Sequence, residues 1–328
     1  MSNTKKSFSI RTDLALEACE MLKAKEETIV DGVKSVTKNK DGIEITCVEI
    51  YNENGSRAVG KPIGKYITVE SAKIRENDAD VKEKVIKDTA EMLALLIKPD
   101  KYKNILVAGL GNRFITPDSL GPKVVSKILV TRHIKDTLPE NIEKNVASVA
   151  AIAPGVMGIT GIETGEILSG IVEKIKPDLL IAIDALAARK FSRINSVIQM
   201  ADSGISPGSG VGNKRMTLDK KSLGIPVIAI GVPTVVDAAT LVNDTMDRIL
   251  SEMAAVSKDK AFYDMLDDIE GEERYTLIND LLTPYAENMF VTPKEVDAVI
   301  DRLADIISNA INIAIHPALT TDDINKYV

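Results

Sequence analysis

Asp118 and Asp184 are the two acids whose surroundings in the chain suit chemistry. Asp118 lies in Thr116–Pro117–Asp118, shortly after the apolar run Ile105–Ala108 and its exit at Gly109, Gly111 and Asn112. Asp184 directly follows the run Leu179–Ile183. Such runs read as strands buried on both faces of a parallel sheet. α/β proteins keep their chemistry beyond the carboxyl ends of these strands. Two carboxylates facing one crevice cannot both ionise cheaply, so one pKa is expected to rise and the other to fall. The pair would then supply an acid and a base to activate water against an amide. Each acid also has a structural reading, Asp118 as a turn or cap residue and Asp184 as a cap of the next helix.

Residues 204–215, GISPGSGVGNKR, form the longest glycine-rich loop. Gly208, Ser209, Gly210 and Gly212 could turn backbone N–H groups toward an oxyanion or a peptide. Lys214 and Arg215 would be ligands there, or only solvated charges. The loop lacks the GK[ST] ending of a P-loop, so a structural crossing loop is an equal or better fit. Pro154–Gly165 reads as a groove wall or a flexible connection, and Asp237 as a first-turn acid of a helix. His133 and His316 are the only histidines, and no GxSxG elbow would make Ser209 a nucleophile. No metal or other cofactor is expected.

The positioning elements follow from periodicity. A helix is expected over 14–25 with Asp13 as its N-cap, then strands at 43–51 and 66–69 joined by a polar connection at 52–60. A helix at 79–97 leads into alternating units: strand 104–108, helix 122–131, strand 146–153, helix 165–175 and strand 179–183. Strands at 194–200 and 226–230 and a helix at 235–253 come next, before a charged surface insertion at 257–285. Thr292–Pro293–Lys294–Glu295 reads as a capping box opening a last helix that runs to His316–Pro317. The pattern predicts an α/β fold, a mixed and mostly parallel sheet with helices on both faces, plus a small N-terminal β-rich region. Among 328 residues, aromatics at 4% without Trp and a net charge of −7 argue against stacking platforms and a broad nucleic-acid surface. Cys19 and Cys47 are too few for a disulfide framework. No signal-peptide core or membrane-length apolar run occurs, so no membrane partner and a cytoplasmic location are expected.

Six blocks in order, ITPDSLGPKVV, APGVMGITGIETGEI, PDLLIAIDALAAR, DSGISPGSGVGNKR, GIPVIAIGVPTVVDA and MFVTPKEVD, resemble the germination protease family. The resemblance spans nearly the whole chain from RTDLALE onward; residues 257–285 match least. It implies an atypical aspartic endopeptidase, with a fold similar to hydrogenase-maturation endopeptidases and essential aspartates at Asp118 and Asp184. It also implies small acid-soluble spore proteins as substrates during germination, a homotetramer, and a spore-core location. A precursor would lose residues 1–13 by a cut at Asp13–Leu14, leaving one peptidase domain at 14–328. That domain divides into 14–98, a catalytic core at 99–256, the insertion at 257–291 and the last helix at 292–328. The alternatives are a metal-dependent maturation peptidase and a non-catalytic protein binding a peptide or nucleotide.

Overall fold

The apolar runs become the middle of one mixed sheet. The structure is a computed structural model that describes residues 12–25, 30–134, 146–208, 215–256 and 289–317. The expected insertion at 257–285, the loop residues Ser209 to Lys214 and residues 1–11 of the expected propeptide lie outside the described residues. The strands are β1 (Val33–Lys40), β2 (Ile43–Ile50), β3 (Gly64–Glu70), β4 (Asn104–Gly109), β5 (Ser148–Ile152), β6 (Leu179–Ala188), β7 (Val197–Ala201), β8 (Val227–Asp237) and β9 (Phe290–Val291). They lie in the order β1-β2-β3-β7-β8-β6-β4-β5, with β9 on β8. The pairs β8–β6, β6–β4 and β4–β5 are parallel, and the β1 to β7 side joins them antiparallel.

The helices are α1 (Ala15–Lys25), α2 (Glu53–Val59), α3 (Ala79–Ile97), α4 (Leu120–Val125), α5 (Met157–Thr160), α6 (Thr164–Ile175), α7 (Lys220–Leu223), α8 (Ala238–Val256) and α9 (Val296–Ile315). Ile105 and Val107 of β4 pack with α3, α4 and α9 on one face, while Leu106 and Ala108 pack with α6 and α7 on the other. Burial on both faces explains why this strand reads as an unbroken apolar run. α1 and α2 cover β2 and β3 through Ala18, Cys19, Val59, Val48 and Tyr66.

Local differences from the sequence reading have tertiary causes. β1 was not foreseen because VKSVTKNK is an exposed border strand with almost no buried positions. The expected connection at 52–60 contains α2, which Asn52 caps by accepting from the Gly55 N–H at 2.8 Å and Gly60 closes at φ 70. The capping box at Thr292 does not form. The Thr292 hydroxyl donates instead to the Thr234 carbonyl at 2.9 Å, and α9 starts at Val296 without a side-chain cap. The helix expected at 122–131 is the short α4. β8 runs on to Asp237, whose carboxylate accepts from the Thr240 N–H at 3.0 Å and so starts α8.

The two borders of the sheet are treated differently. β1 presents exposed Lys34, Lys38 and Lys40 along its length. At β5 the Thr131 and Arg132 N–H groups donate to the Val149 carbonyl (3.1 and 3.0 Å), and the Thr131 hydroxyl accepts from the Val149 N–H at 2.9 Å.

Candidate active site

The chain leaves β4 toward β5 on one side, then returns past β4 to β6 on the other. That reversal opens a crevice at the carboxyl ends of β4 and β6, where open α/β sheets bind ligands. β4 pairs with β6 as far as Gly109 opposite Ile183, and the Leu110 N–H then closes on the Ile183 carbonyl at 2.7 Å. β6 continues alone beside β8 to Ala188. Asp184 therefore does not follow its strand as expected. It stands inside β6, at the first position that β4 no longer covers.

Asp118 is brought back to the same place by its own loop. Gly111 turns at φ 102, a conformation that side chains disfavour. A Cβ there would stand 2.1 Å from the Asp118 carbonyl oxygen. The Asn112 N–H donates to Asp118 Oδ2 at 2.7 Å, and Thr116–Asp118 forms a 3-10 turn. The Thr116 hydroxyl ties this turn to α9 through Asp297 at 2.8 Å. Gly121 lets α4 abut the strand ends, since a Cβ would meet the Leu110 carbonyl oxygen at 2.3 Å. Asp118 is thus a turn residue whose carboxyl group still faces the crevice, and it caps no helix.

Both acids line one cavity of about 330 Å³ together with Asp13, Ile115, Pro117, Gly208 and Arg215. Asp184 is 6% exposed and accepts from the Ala185 N–H at 3.0 Å. Burial, then the charges of Asp118 and Asp13, hold its carboxyl well above the usual range. Asp118 is half-buried, and burial raises it too, opposed by the Asn112 N–H and the Arg215 guanidinium. The expected split, one acid up and one down, is not found, because desolvation dominates at both. Gly208 and Arg215 reach the cavity wall, and Arg215 Nε is buried without a hydrogen-bond partner. Ser209, Gly210, Gly212 and Lys214 fall outside the described residues.

Asp13 and Leu14 also come to this crevice, and Asp13 is not the N-cap of α1. Its N–H donates to the Ala187 carbonyl at 3.1 Å and its Oδ2 accepts from the Ala187 N–H at 3.0 Å. Leu14 is fully buried against Leu186 and Val197. A second cavity of about 210 Å³ shares Asp13, Asp184, Leu186 and Gly208 with the first and has Lys61, Tyr66 and Gln199 in its walls. Gln199 and Lys61 were missed by sequence reasoning. Gln199 carries a faint signal, a lone amide in the apolar run VIQMA, whereas Lys61 carries none. Residues 154–165 form α5 and the capping Glu163 of α6, and line neither cavity. His316 is buried elsewhere, its Nδ1 accepting from the Ala147 N–H at 3.3 Å. Among the described residues no three His, Cys, Asp or Glu side chains are grouped to hold a metal ion.

Fold and crevice together define an α/β protein with an acid pair at the switch point of a mixed sheet. Residues 12–261 and 251–328 match the family model described as germination protease. The germination protease of Clostridium acetobutylicum is 52% identical over 324 residues, covering 98% of this chain and 99% of that one. The Clostridium tetani protein is 50% identical, covering 98% and 100%. That of Bacillus pumilus is 41% identical, covering 98% and 97%. A solved structure, the [NiFe] hydrogenase maturation protease HycI from Thermococcus kodakarensis KOD1, overlaps 67% of this chain and 98% of its own at 17% identity and a TM-score of 0.33. The chain belongs to the germination protease family and is a peptidase. Among the described residues no helix is long and apolar enough to cross a membrane.

Proposed function

We propose that Asp118 and Asp184 are the catalytic pair of a spore-germination endopeptidase of atypical aspartic type. The observation that carries this reading is their meeting in one cavity, Asp118 from the turn after β4 and Asp184 from the neighbouring β6, with Asp184 biased toward its protonated form. The pair titrates as a unit and would act while it holds one proton. Its ionised member takes a proton from water as the oxygen attacks the peptide carbonyl carbon. The neutral member gives its proton to the departing nitrogen, so amide and water become acid and amine. Gly208 and Arg215 at the wall would face the charge that develops on the carbonyl oxygen.

Family membership supports a protease of spore germination; the motif resemblance further implies small acid-soluble spore proteins as substrates, a homotetramer in the spore core, and activation of a precursor by loss of residues 1–13. That Asp13 lines both cavities supports the last point, since the end of the leader would then occupy the crevice until it is cut. The test uses a protein beginning at Leu14 and a peptide from a spore protein. Asp118→Asn and Asp184→Asn should each lower hydrolysis on the order of 10²–10⁴-fold with the fold intact by circular dichroism. Undiminished hydrolysis in either variant would overturn the pair. Loss of activity on chelation, restored by one metal, would favour the metal-dependent alternative.

A further inference from the structure

The peptide unit expected to be cut is gripped by a side chain that no motif marks. Gln199 of β7 is 8% exposed and brackets Leu14. Its Nε2 donates to the Asp13 carbonyl oxygen at 3.2 Å, and its Oε1 accepts from the Ala15 N–H at 2.7 Å. On the upstream side, Lys61 Nζ donates to the Thr12 carbonyl at 3.0 Å. Downstream, Glu17 accepts from the Arg189 and Lys190 N–H groups at 2.7 and 2.9 Å and fixes the first turn of α1. Residues 12–15 are therefore aligned on both sides of the Asp13–Leu14 bond, in the crevice that Asp184 also lines.

The oxygen that Gln199 touches belongs to the carbonyl that water would attack. When it does, negative charge collects on that oxygen. A donor already in place gains strength there without reorganising, and burial keeps water from diluting the effect. Reading the oxygen before Leu14 and the N–H after it also restricts the torsions of this unit, as a neighbouring strand would. We propose that Gln199 is an oxyanion donor, beside Gly208 and Arg215, and the alignment group for the chain's own cut between Asp13 and Leu14, with Lys61 aligning the residue before it. In that step the water oxygen bonds to the Asp13 carbonyl carbon and the bond to the Leu14 nitrogen breaks. A proton goes to that nitrogen, and Asp13 departs as a carboxyl terminus. This rests on the reading of Asp118 and Asp184 as the hydrolytic pair.

The test follows self-cleavage of the full-length chain by mass spectrometry, beside hydrolysis of a separate RTDLALE peptide by proteins beginning at Leu14. Gln199→Leu should slow self-cleavage by about 10²–10³-fold. Gln199→Glu should be slow at neutral pH and recover, relative to the native chain, as pH falls and its new carboxyl gains a proton to donate. Gln199→Leu should not recover. If Gln199→Leu does not fold, as judged by thermal unfolding, the near-isosteric Gln199→Glu carries the test. Self-cleavage of Gln199→Leu at the native rate, or no acid recovery in Gln199→Glu, would overturn the proposal. A native chain that never cuts at Asp13–Leu14 while the Leu14 protein hydrolyses peptide would remove it together with the leader reading. A silent Asp184→Asn substitution would instead count against the acid pair.

Discussion

Asp184 is a carboxyl group that the fold prefers neutral, and this has a measurable sign. Its folded pKa lies well above the value of about 3.9 expected of an unfolded chain. Below that value both states hold the proton and nothing is lost. As pH rises from there toward the folded value, the unfolded state releases its proton first and stability declines. Asp184→Asn should therefore unfold at a higher temperature than the native protein near neutral pH, with the gap closing toward pH 4. A gap that is constant with pH would refute the shift. Gly111→Ala should cost about 1–3 kcal/mol and lower hydrolysis, because its φ of 102 and the Asp118 carbonyl oxygen both oppose a side chain. Chemical denaturation and a peptide assay would check both effects. Asp118 and Asp184 could be singled out from sequence because a buried strand and its exit turn are local patterns. The contacts of Gln199 and Lys61, and the place of Asp13 against Ala187, could not, since they depend on which strands become neighbours. Asp13 before an amphipathic run satisfies the N-cap pattern, yet the Ala187 backbone claims its carboxylate.

α1 is held to the body by charge as well as by packing. Arg193 is 6% exposed; its Nη2 reaches Glu20 Oε1 at 2.6 Å, its Nε reaches Glu70 at 3.3 Å and its Nη1 lies 3.7 Å from Glu17. Arg193→Met would leave these acids without their shared cation; because Glu20 keeps Lys190 and Glu17 keeps two backbone N–H groups, the cost is about 1–3 kcal/mol. Limited proteolysis should then cut α1 first. Resistance equal to the native protein would show that packing alone holds the helix. Helices such as α3 and strands such as β4 were legible from their periodicity. β1 and α2 were not, because one is almost wholly solvated and the other is made by a cap and a turn in a polar stretch.

Across the whole molecule, a second titration opposes that of Asp184. His316 is fully buried where α9 ends, and burial pushes its pKa down to about 4, against the pull of the Leu129 backbone. Its contribution is complete above the unfolded value near 6.5 and is lost as pH falls toward about 4. By then the unfolded chain has gained roughly 3 kcal/mol. His316→Asn should flatten the acid limb of a stability-against-pH curve measured in urea. An unchanged limb would assign acid sensitivity to other groups.

The guarded borders of the sheet have a consequence for assembly. Lysines along β1 make a second polypeptide costly to add as a further strand, and Thr131 with Arg132 has already used the Val149 amide and carbonyl of β5. Among the described residues these two borders therefore disfavour strand addition, and copies of this chain that associate are expected to meet through helices and loops. The same guarding disfavours fibre growth from these two edges.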